Sequence, residues 1–204
     1  MIFPINPELS NKKLNRNKFF SQLISFIIKP FLKKATKYRP KWSSRDLMPK
    51  LNHYNKIFHL YKTNYCTTNR NKNYFKYRYL KSPFFDEYRF YRCNKNNSVN
   101  IYLICRKIKK DKGSYLRIVD LFGSIWNFSA VIDLINLVIK DAIDDGLTHI
   151  TILESNKKLQ GLMFINGFIL FKKARFCFYG NSPNHIATMQ QFRWVFSDSD
   201  NDYI

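Results

Sequence analysis

The sequence predicts a mixed α/β fold of the α+β kind: a mixed sheet with the element order β-β-β-α-β-α-β-β, preceded by helices. Three observations favour this class. Alternating apolar residues predict three strands in a row, a wide apolar stripe predicts a long helix, and a segment with caps at both ends predicts a strand–helix–strand crossover. A chain of 204 residues is long enough for one domain with a sizeable core.

The first half of the predicted sheet is a meander of three strands. Apolar and polar residues alternate over residues 88–93, 99–107 and 115–122. Polar turns separate these strands, as is typical of hairpins. Apolar residues at helical spacing over residues 126–145 then predict a long helix that covers the sheet, and a final strand is predicted at residues 190–196.

The crossover carries the clearest local signals. An apolar run at residues 147–153 predicts a strand that is covered on both faces. Asn156 is suited to accept hydrogen bonds from the first amides of a helix over residues 157–166. Gly167 stands where that helix needs a residue with positive φ to end, and Phe168 opens the next strand.

The segments before the sheet differ from it in composition. Residues 1–45 are basic and contain several prolines, which predicts an arm or linker with one amphipathic helix. Residues 46–204 are expected to form the folded domain, with helices over residues 46–85 and the sheet core over residues 86–204. Within the helical part, an apolar face predicts one helix over residues 46–69.

The excess of positive charge lies in the first half of the chain. Residues 1–112 hold 27 Lys/Arg and 5 Asp/Glu, whereas residues 113–204 hold 8 and 9. One explanation is a surface that binds a polyanion such as nucleic acid, anionic lipid or an acidic glycan. The other is the compositional bias of an AT-rich genome. The sequence contains no nucleic-acid-binding motif, so nucleic acid is not an expected partner.

The segment 19–32 is the most apolar part of the basic arm. It is too short to span a bilayer and contains Lys29 and Pro30. Lysines on both sides make peripheral contact with an anionic membrane one expectation. The alternative is an amphipathic helix that docks on protein.

Cysteine and histidine spacing gives no sign of a metal site. The four cysteines are widely separated, no CxxC pair occurs, and the four histidines do not cluster. Reduced cysteines, together with the lack of a signal-peptide pattern at the N-terminus, favour a cytoplasmic protein.

The spacing from Asn156 through a short helix to Gly167 and Phe168 resembles the second half of the GNAT-type N-acyltransferase domain. The predicted strand order is similar to the core of that domain from its second strand onwards, over about residues 74–204. This resemblance implies a GNAT-like fold and an enzyme that transfers an acyl group from acetyl-coenzyme A, or another acyl-coenzyme A, to an amine. It implies no metal.

A narrower resemblance concerns the two ends of the domain. Residues 74–85 and the acidic run at residues 197–202 look like the ends of the C-terminal GNAT-like domain of proteins from bacterial surface-polysaccharide loci. This implies an amino sugar or a related amine as acceptor. It also implies a partner, which is either an N-terminal domain or a second copy of the chain.

The resemblance assigns the coenzyme to the turn after the third strand. There, Gly123, Ser124 and Asn127 are expected to present amides to the pyrophosphate, with Asn156 on the next helix. The alternative at this turn is a plain helix cap by Ser124 and Asn127. The sequence departs from the family in two ways. The family's Gly-rich pattern is reduced to one glycine, with Ile125 and Trp126 where bulk is expected to crowd a phosphate. The family's tyrosine general acid is replaced by Met163, which cannot donate a proton.

Two acids are candidates for catalysis. Asp120 lies inside an apolar strand beside the turn, where a carboxylate can act as a general base, and Glu154 ends the neighbouring strand. Arg78 and Arg117 are candidates for binding an anionic substrate. The alternatives are a structural role for Asp120 and solvated arginines.

These observations leave three interpretations of function. The first is an acyl-coenzyme A-dependent N-acyltransferase. The second is a GNAT-like binding or scaffold domain without catalysis, which the departures at Met163 and at the turn favour. The third is a basic protein that binds a polyanion or a membrane surface through its first half.

Overall fold

A computed structural model describes residues 1–6, 18–61, 71–95, 98–111, 113–153 and 156–170. Its centre is a six-stranded sheet with the spatial order β1-β6-β5-β4-β3-β2. The strands are β1 (Ile2–Pro4), β2 (Ser43–Asp46), β3 (Tyr88–Lys95), β4 (Ser98–Ile108), β5 (Tyr115–Gly123) and β6 (His149–Ile152). Neighbouring strands are antiparallel except β5 and β6, which are parallel. The predicted mixed α/β class is therefore confirmed.

The helices are α1 (Lys18–Thr36), α2 (Leu51–Tyr61), α3 (Lys72–Phe75), α4 (Phe128–Asp144) and α5 (Lys157–Ile165). The short α3 continues as a π-helical turn, Lys76–Leu80, and a 3-10 turn, Phe85–Glu87, leads into β3. In the described part of the chain, no helix is both long enough and apolar enough to cross a membrane. The order β3-β4-β5-α4-β6-α5 is consistent with the GNAT-like order that the sequence predicts.

The two faces of the sheet carry different cores. The aliphatic face packs against α1, α4 and α5, and its buried residues are mostly Ile, Leu and Val. The aromatic face packs against α2 and α3. Its buried members are Tyr54, Ile57, Phe58, Phe75, Tyr79, Phe90, Tyr102, Ile104, Val119 and Phe122. Alternation along the strands produces this division, because successive side chains point to opposite faces.

A buried carboxylate ties the helices of the aliphatic face to the edge of the sheet. Asp133 of α4 is 4 % exposed and accepts hydrogen bonds from the Tyr38 hydroxyl and from the amides of Lys41, Trp42 and Ser43. Burial opposes its ionisation, but the contacts with Ser43 and Tyr38 and the backbone amides outweigh burial and lower its pKa. Asp133 thereby fixes the connection between α1 and β2.

The structure differs from the prediction before residue 62. The expected arm contributes β1 and β2 to the sheet, and the helix expected at residues 46–69 is α2, which begins at Leu51. Leu47, which lies before that helix, is exposed, whereas Tyr54 within it is buried. Strands of three and four residues are too short to show a period, which explains why the sequence did not predict them.

The end of the crossover is described as far as residue 170. Gly167 has a φ of +90°, as expected for a residue that ends a helix. Ile169 then pairs with Ile2 through two backbone hydrogen bonds of 2.9 and 2.7 Å. The rest of the strand expected after Phe168, and the final strand at residues 190–196, lie outside the described residues.

Candidate functional site

The pairing of the parallel strands β5 and β6 ends part-way along β5. Their register runs from Leu116 opposite Ile150 to Ile118 opposite Ile152, where β6 ends. Strand β5 continues to Gly123, so its carboxyl half extends beyond the last pair with β6. In open α/β sheets, ligands bind at the carboxyl ends of the strands. We call the region beside this half of β5, which has no β6 partner, the opening, and it is the candidate site.

A β-bulge determines which face Asp120 occupies. On β4, Ile104 lies opposite Asp120 while the next residue, Cys105, lies opposite Ile118, so Val119 is the extra residue in β5. The extra residue turns Asp120 towards the aromatic face, together with Val119. Without the bulge, strict alternation would have placed Asp120 on the opposite face from Val119.

Asp120 is buried and hydrogen-bonded. It is 1 % exposed, and the Tyr79 hydroxyl donates to Asp120 Oδ2 at 3.0 Å. Tyr79 belongs to the π-helical turn after α3 and is itself fully buried. This hydrogen bond thus connects β5, just beyond its last pair with β6, to the helical layer that covers the aromatic face. The sequence predicted Asp120 but not its partner.

A second acid lies on the aromatic side of the sheet, further from the opening. Asp46 contacts Arg92 at 2.8 Å, and burial raises the pKa of Asp46 although Arg92 opposes the shift. Burial also raises the pKa of Tyr102 to about 12, with a smaller contribution from Asp46. The Tyr102 hydroxyl has no hydrogen-bond partner among the described residues. At ordinary pH this tyrosine is therefore a neutral group.

The turn between β5 and α4 is tight, and the Ile125 side chain in it points into the core. Gly123 has a φ of +115°, and the amides of Ile125 and Asn127 donate to the carbonyls of Gly123 and Ser124 at 2.8 and 2.9 Å. The Ile125 side chain is fully buried in the aliphatic core. The prediction that Ile125 crowds a phosphate was therefore wrong, because the turn directs it inwards. Trp126 is half-buried against the same core.

Asn127 caps α4 rather than leaving its side chain for a ligand. Its Oδ1 accepts from the Ala130 amide at 3.4 Å and from the Ser129 hydroxyl at 2.9 Å. The Asn127 carbonyl accepts the amides of Ala130 and Val131. The amides of Phe128 and Ser129 have no partner within the described part of the chain. Such amides at a helix N-terminus can bind an anion.

The first turn of α5 lies close to this site. Asn156 caps α5 through hydrogen bonds from the amides of Lys158 and Leu159 at 3.0 and 3.2 Å. Lys158 Nζ lies 5.9 Å from the centroid of the Trp126 ring. The contact brings a cation beside the turn that precedes α4. Sequence reasoning missed Lys158, since the only available signal was a basic residue in the first turn of a helix.

The remaining predicted residues are distributed as follows. Arg117 lies three residues before Asp120, is half-buried, and donates to the Tyr115 hydroxyl at 3.3 Å. Arg78 precedes Tyr79 in the π-helical turn and is half-buried. Glu154 lies outside the described residues. Met163 is 1 % exposed and packs in the aliphatic core.

The other chemistry-bearing side chains do not gather into a further site in the part of the chain that the structure describes. Cys93 and Cys105 are free and buried, and burial raises the pKa of both thiols. Cys66 and Cys177 lie outside the described residues. Within the described ranges, no group of three or more His, Cys, Asp or Glu side chains is placed to hold a metal ion.

Comparison with known proteins assigns no family. No family model matches the chain, and no curated protein matches its sequence. Among solved structures, a Thermus thermophilus protein, TTHA1254, aligns over 68 % of this chain and 98 % of its own, with 12 % identity and a TM-score of 0.47. The aminoglycoside acetyltransferase meta-AAC0020, from an uncultured soil metagenomic sample, aligns over 69 % and 94 %, with 11 % identity and a TM-score of 0.45.

A further aminoglycoside acetyltransferase from an uncultured soil metagenomic sample, HMB0005, aligns over 64 % of this chain and 88 % of its own. Its identity is 13 % and its TM-score is 0.42. Alignments at this level do not assign an activity to the chain.

Proposed function

We propose that the protein transfers an acyl group from acetyl-coenzyme A, or another acyl-coenzyme A, to an amine. The observation that carries the proposal is the opening between β5 and β6, with a buried acid at its start and helix amides at its other end. The last β5–β6 pair is at Ile118, and Asp120 follows two residues later. The amides are those of Phe128 and Ser129, which have no partner among the described residues.

The anionic end of the coenzyme is proposed to bind at the turn before α4. Gly123 and Ser124 form the turn, and the amides of Phe128 and Ser129 are placed to donate to phosphate oxygens. Lys158 adds a positive charge from the first turn of α5. The roles expected for Asn127 and Asn156 become indirect, because both side chains cap helices and so orient the amides.

The acyl end is proposed to lie beside β5, where β6 no longer pairs with it. A thioester supplies an activated carbonyl carbon and a thiolate leaving group. Attack by the amine nitrogen forms the C–N bond, the C–S bond breaks, and the amine proton must be removed. Asp120 is proposed as the base, and Glu154 as a second acid at the same end of the sheet.

Tyr79 is proposed as a positioning residue for this reaction. Its hydroxyl donates to Asp120 Oδ2, so it fixes the orientation of the carboxylate that takes the amine proton. The departing thiolate takes its proton from water in this scheme, since Met163 cannot donate one. The acceptor is proposed to be an amino sugar or a related amine, with Arg78 and Arg117 as the residues that bind an anionic group on it.

The test is a transfer assay with radiolabelled acetyl-coenzyme A and a panel of amines that includes amino sugars, their nucleotide derivatives and polyamines. We expect labelled amide product with at least one amine. The Asp120→Asn variant is expected to lose about 100-fold or more in kcat, because general base catalysis contributes on that order. Full activity in this variant would exclude Asp120 as the base. If no amine gives a labelled product, the proposed transferase activity is rejected.

The second candidate is a GNAT-like binding or scaffold domain without catalysis. Burial of Met163 in the aliphatic core is the observation that favours it, because α5 then offers no proton donor to the opening at this position. Calorimetric titration with acetyl-coenzyme A separates the two. Saturable binding without turnover of any amine supports the scaffold, and binding with turnover supports the transferase.

A further inference from the structure

Helix α1 has an inner face that belongs to the core and an outer face that does not. Ile24, Ile28 and Ala35 are buried in the aliphatic core. On the outer face, three large apolar side chains are exposed: Phe26 is 80 %, Ile27 48 % and Leu23 46 % exposed. Pro30, one turn further along, is exposed as well. The helix is therefore docked on the protein as one expectation had it, yet it presents an apolar stripe outwards.

The same outer face becomes basic towards its C-terminal end. Lys33 and Lys34 follow Phe26 and Pro30 at helical spacing, so they share that face. Lys29 lies at its margin, and Lys37 directly follows the last residue of the helix. All four lysines are exposed, and none forms an ion pair with a described residue. Between Leu9 and Ser44 the sequence holds ten Lys/Arg and no Asp or Glu. No nearby acid in sequence neutralises this surface.

We propose that the outer face of α1 binds the surface of an anionic lipid bilayer. Leu23, Phe26 and Ile27 would enter the boundary between headgroups and acyl chains, while the lysines would bind the lipid phosphates. Apolar side chains beside a basic cluster on one helix face are the combination that interfacial helices use. The charge complementarity identifies the partner as anionic rather than zwitterionic lipid.

The composition of the stripe favours lipid over nucleic acid. Two of its three members are aliphatic, and aliphatic side chains neither stack on bases nor form hydrogen bonds with them. Burying them in a bilayer interface removes apolar surface from water, which favours binding. This inference does not rest on the proposed transferase activity, because α1 packs on the opposite face of the sheet from Asp120.

The test is flotation of the full chain with vesicles of phosphatidylcholine alone and with vesicles that also contain phosphatidylglycerol. We expect binding to the anionic vesicles only, and binding that weakens as salt is raised. The Lys33→Gln/Lys34→Gln variant is expected to bind at least about tenfold more weakly, since each basic residue near an anionic surface contributes on the order of a fivefold gain in partitioning.

A matched control separates this surface from the general positive charge of the chain. Lys76 and Lys81 are also exposed, and they lie in and just after the π-helical turn on the aromatic face. The Lys76→Gln/Lys81→Gln variant removes the same charge, and it is expected to bind nearly as well as the native chain. Equal losses in the two variants would overturn the assignment to α1.

A second pair of variants tests the contribution of the apolar stripe on α1. Phe26 and Tyr77 are both 80 % exposed, but Tyr77 lies on the π-helical turn. Phe26→Ser is expected to weaken vesicle binding, whereas Tyr77→Ser is not. Circular dichroism of each variant checks that the helix content of the native chain is kept. Salt-sensitive binding to single- or double-stranded nucleic acid with none to anionic vesicles would reject the proposal and identify the other class of polyanion.

Discussion

Each face of the sheet buries an aspartate in the described part of the chain, and the two aspartates have different surroundings. Asp133, on the aliphatic face, accepts three backbone amides and one hydroxyl from one short segment that it holds in place. Asp120, on the aromatic face, accepts from the Tyr79 side chain beside the opening between two strands. A carboxylate surrounded by backbone donors serves the fold. The carboxylate that a side chain orients, beside the half of β5 that has no β6 partner, is the one that we propose as a base.

The largest expected effect concerns the stability that Asp133 provides. Asp133→Asn places an amide group against amide donors and is expected to lower the free energy of unfolding by about 2–3 kcal/mol. Urea denaturation followed by circular dichroism measures it. A loss below about 0.5 kcal/mol, which is the size of an ordinary surface substitution, would contradict the structural role.

The pH dependence of the free energy of unfolding, compared between the native chain and Asp133→Asn, gives a second test of this role. The pKa of Asp133 is lowered in the folded state, so its stabilisation is fully present above the unfolded value of about 4. It is lost as the pH falls through the folded pKa, since the unfolded state then binds the proton first. The native chain should therefore lose more stability than Asp133→Asn as the pH falls below about 5.

The next effect tests Tyr79 as a positioning residue. Tyr79→Phe is expected to lower kcat by about tenfold and to leave the KM for acetyl-coenzyme A unchanged, because the lost hydrogen bond orients only the base. In the Asp120→Asn background the same substitution should cost little more, as expected for two residues that act together. Equal losses in both backgrounds would show that Tyr79 acts independently of Asp120.

A smaller effect concerns the cation near the turn. Lys158→Gln is expected to weaken acetyl-coenzyme A binding by about fivefold, which is typical of one partly exposed charge near a phosphate. The neighbouring Lys157 is exposed as well, so Lys157→Gln removes the same charge without the contact to Trp126. Titration calorimetry compares the two. Equal affinities would remove Lys158 from the site.

The smallest effect concerns Tyr102, whose buried hydroxyl has no partner among the described residues. Tyr102→Phe is expected to raise the free energy of unfolding by up to about 1 kcal/mol, since it removes an unsatisfied polar atom without changing the shape of the core. A loss of stability in urea denaturation would show that the hydroxyl is bound to a group outside the described residues.

The sequence predicted the parts of the fold that depend on local periodicity. The strands from Tyr88 to Gly123, the helix α4 and the capped helix α5 agree with the prediction to within about two residues, which is the usual uncertainty of helix and strand ends. Apolar alternation and caps are local signals, so one sequence suffices to find them. The strands β1 and β2 depend on pairing with distant residues, such as Phe3 with Ile150, and no local pattern encodes that pairing.

The sequence named Asp120 and the turn at Gly123 as candidates, but it could not give their arrangement. Asp120 was found because a carboxylate interrupts an apolar strand, yet its face depends on a bulge opposite Ile104 that alternation alone cannot reveal. The inward direction of Ile125 depends on the φ of Gly123 and on the turn that follows. Tyr79 and Lys158 become relevant only through tertiary contacts.

We propose that the amides at the start of α4 bind the coenzyme, and two variants of Phe128 test this. Phe128→Pro removes one of these amides, and proline is well accepted at the first position of a helix. Phe128→Ala loses the same ring and keeps the amide. Titration with acetyl-coenzyme A should show native-like affinity for Phe128→Ala and at least about tenfold weaker binding for Phe128→Pro, since a hydrogen bond to a charged group contributes about that much. Equal affinity of the two variants, or no binding to the folded native chain, would contradict the claim.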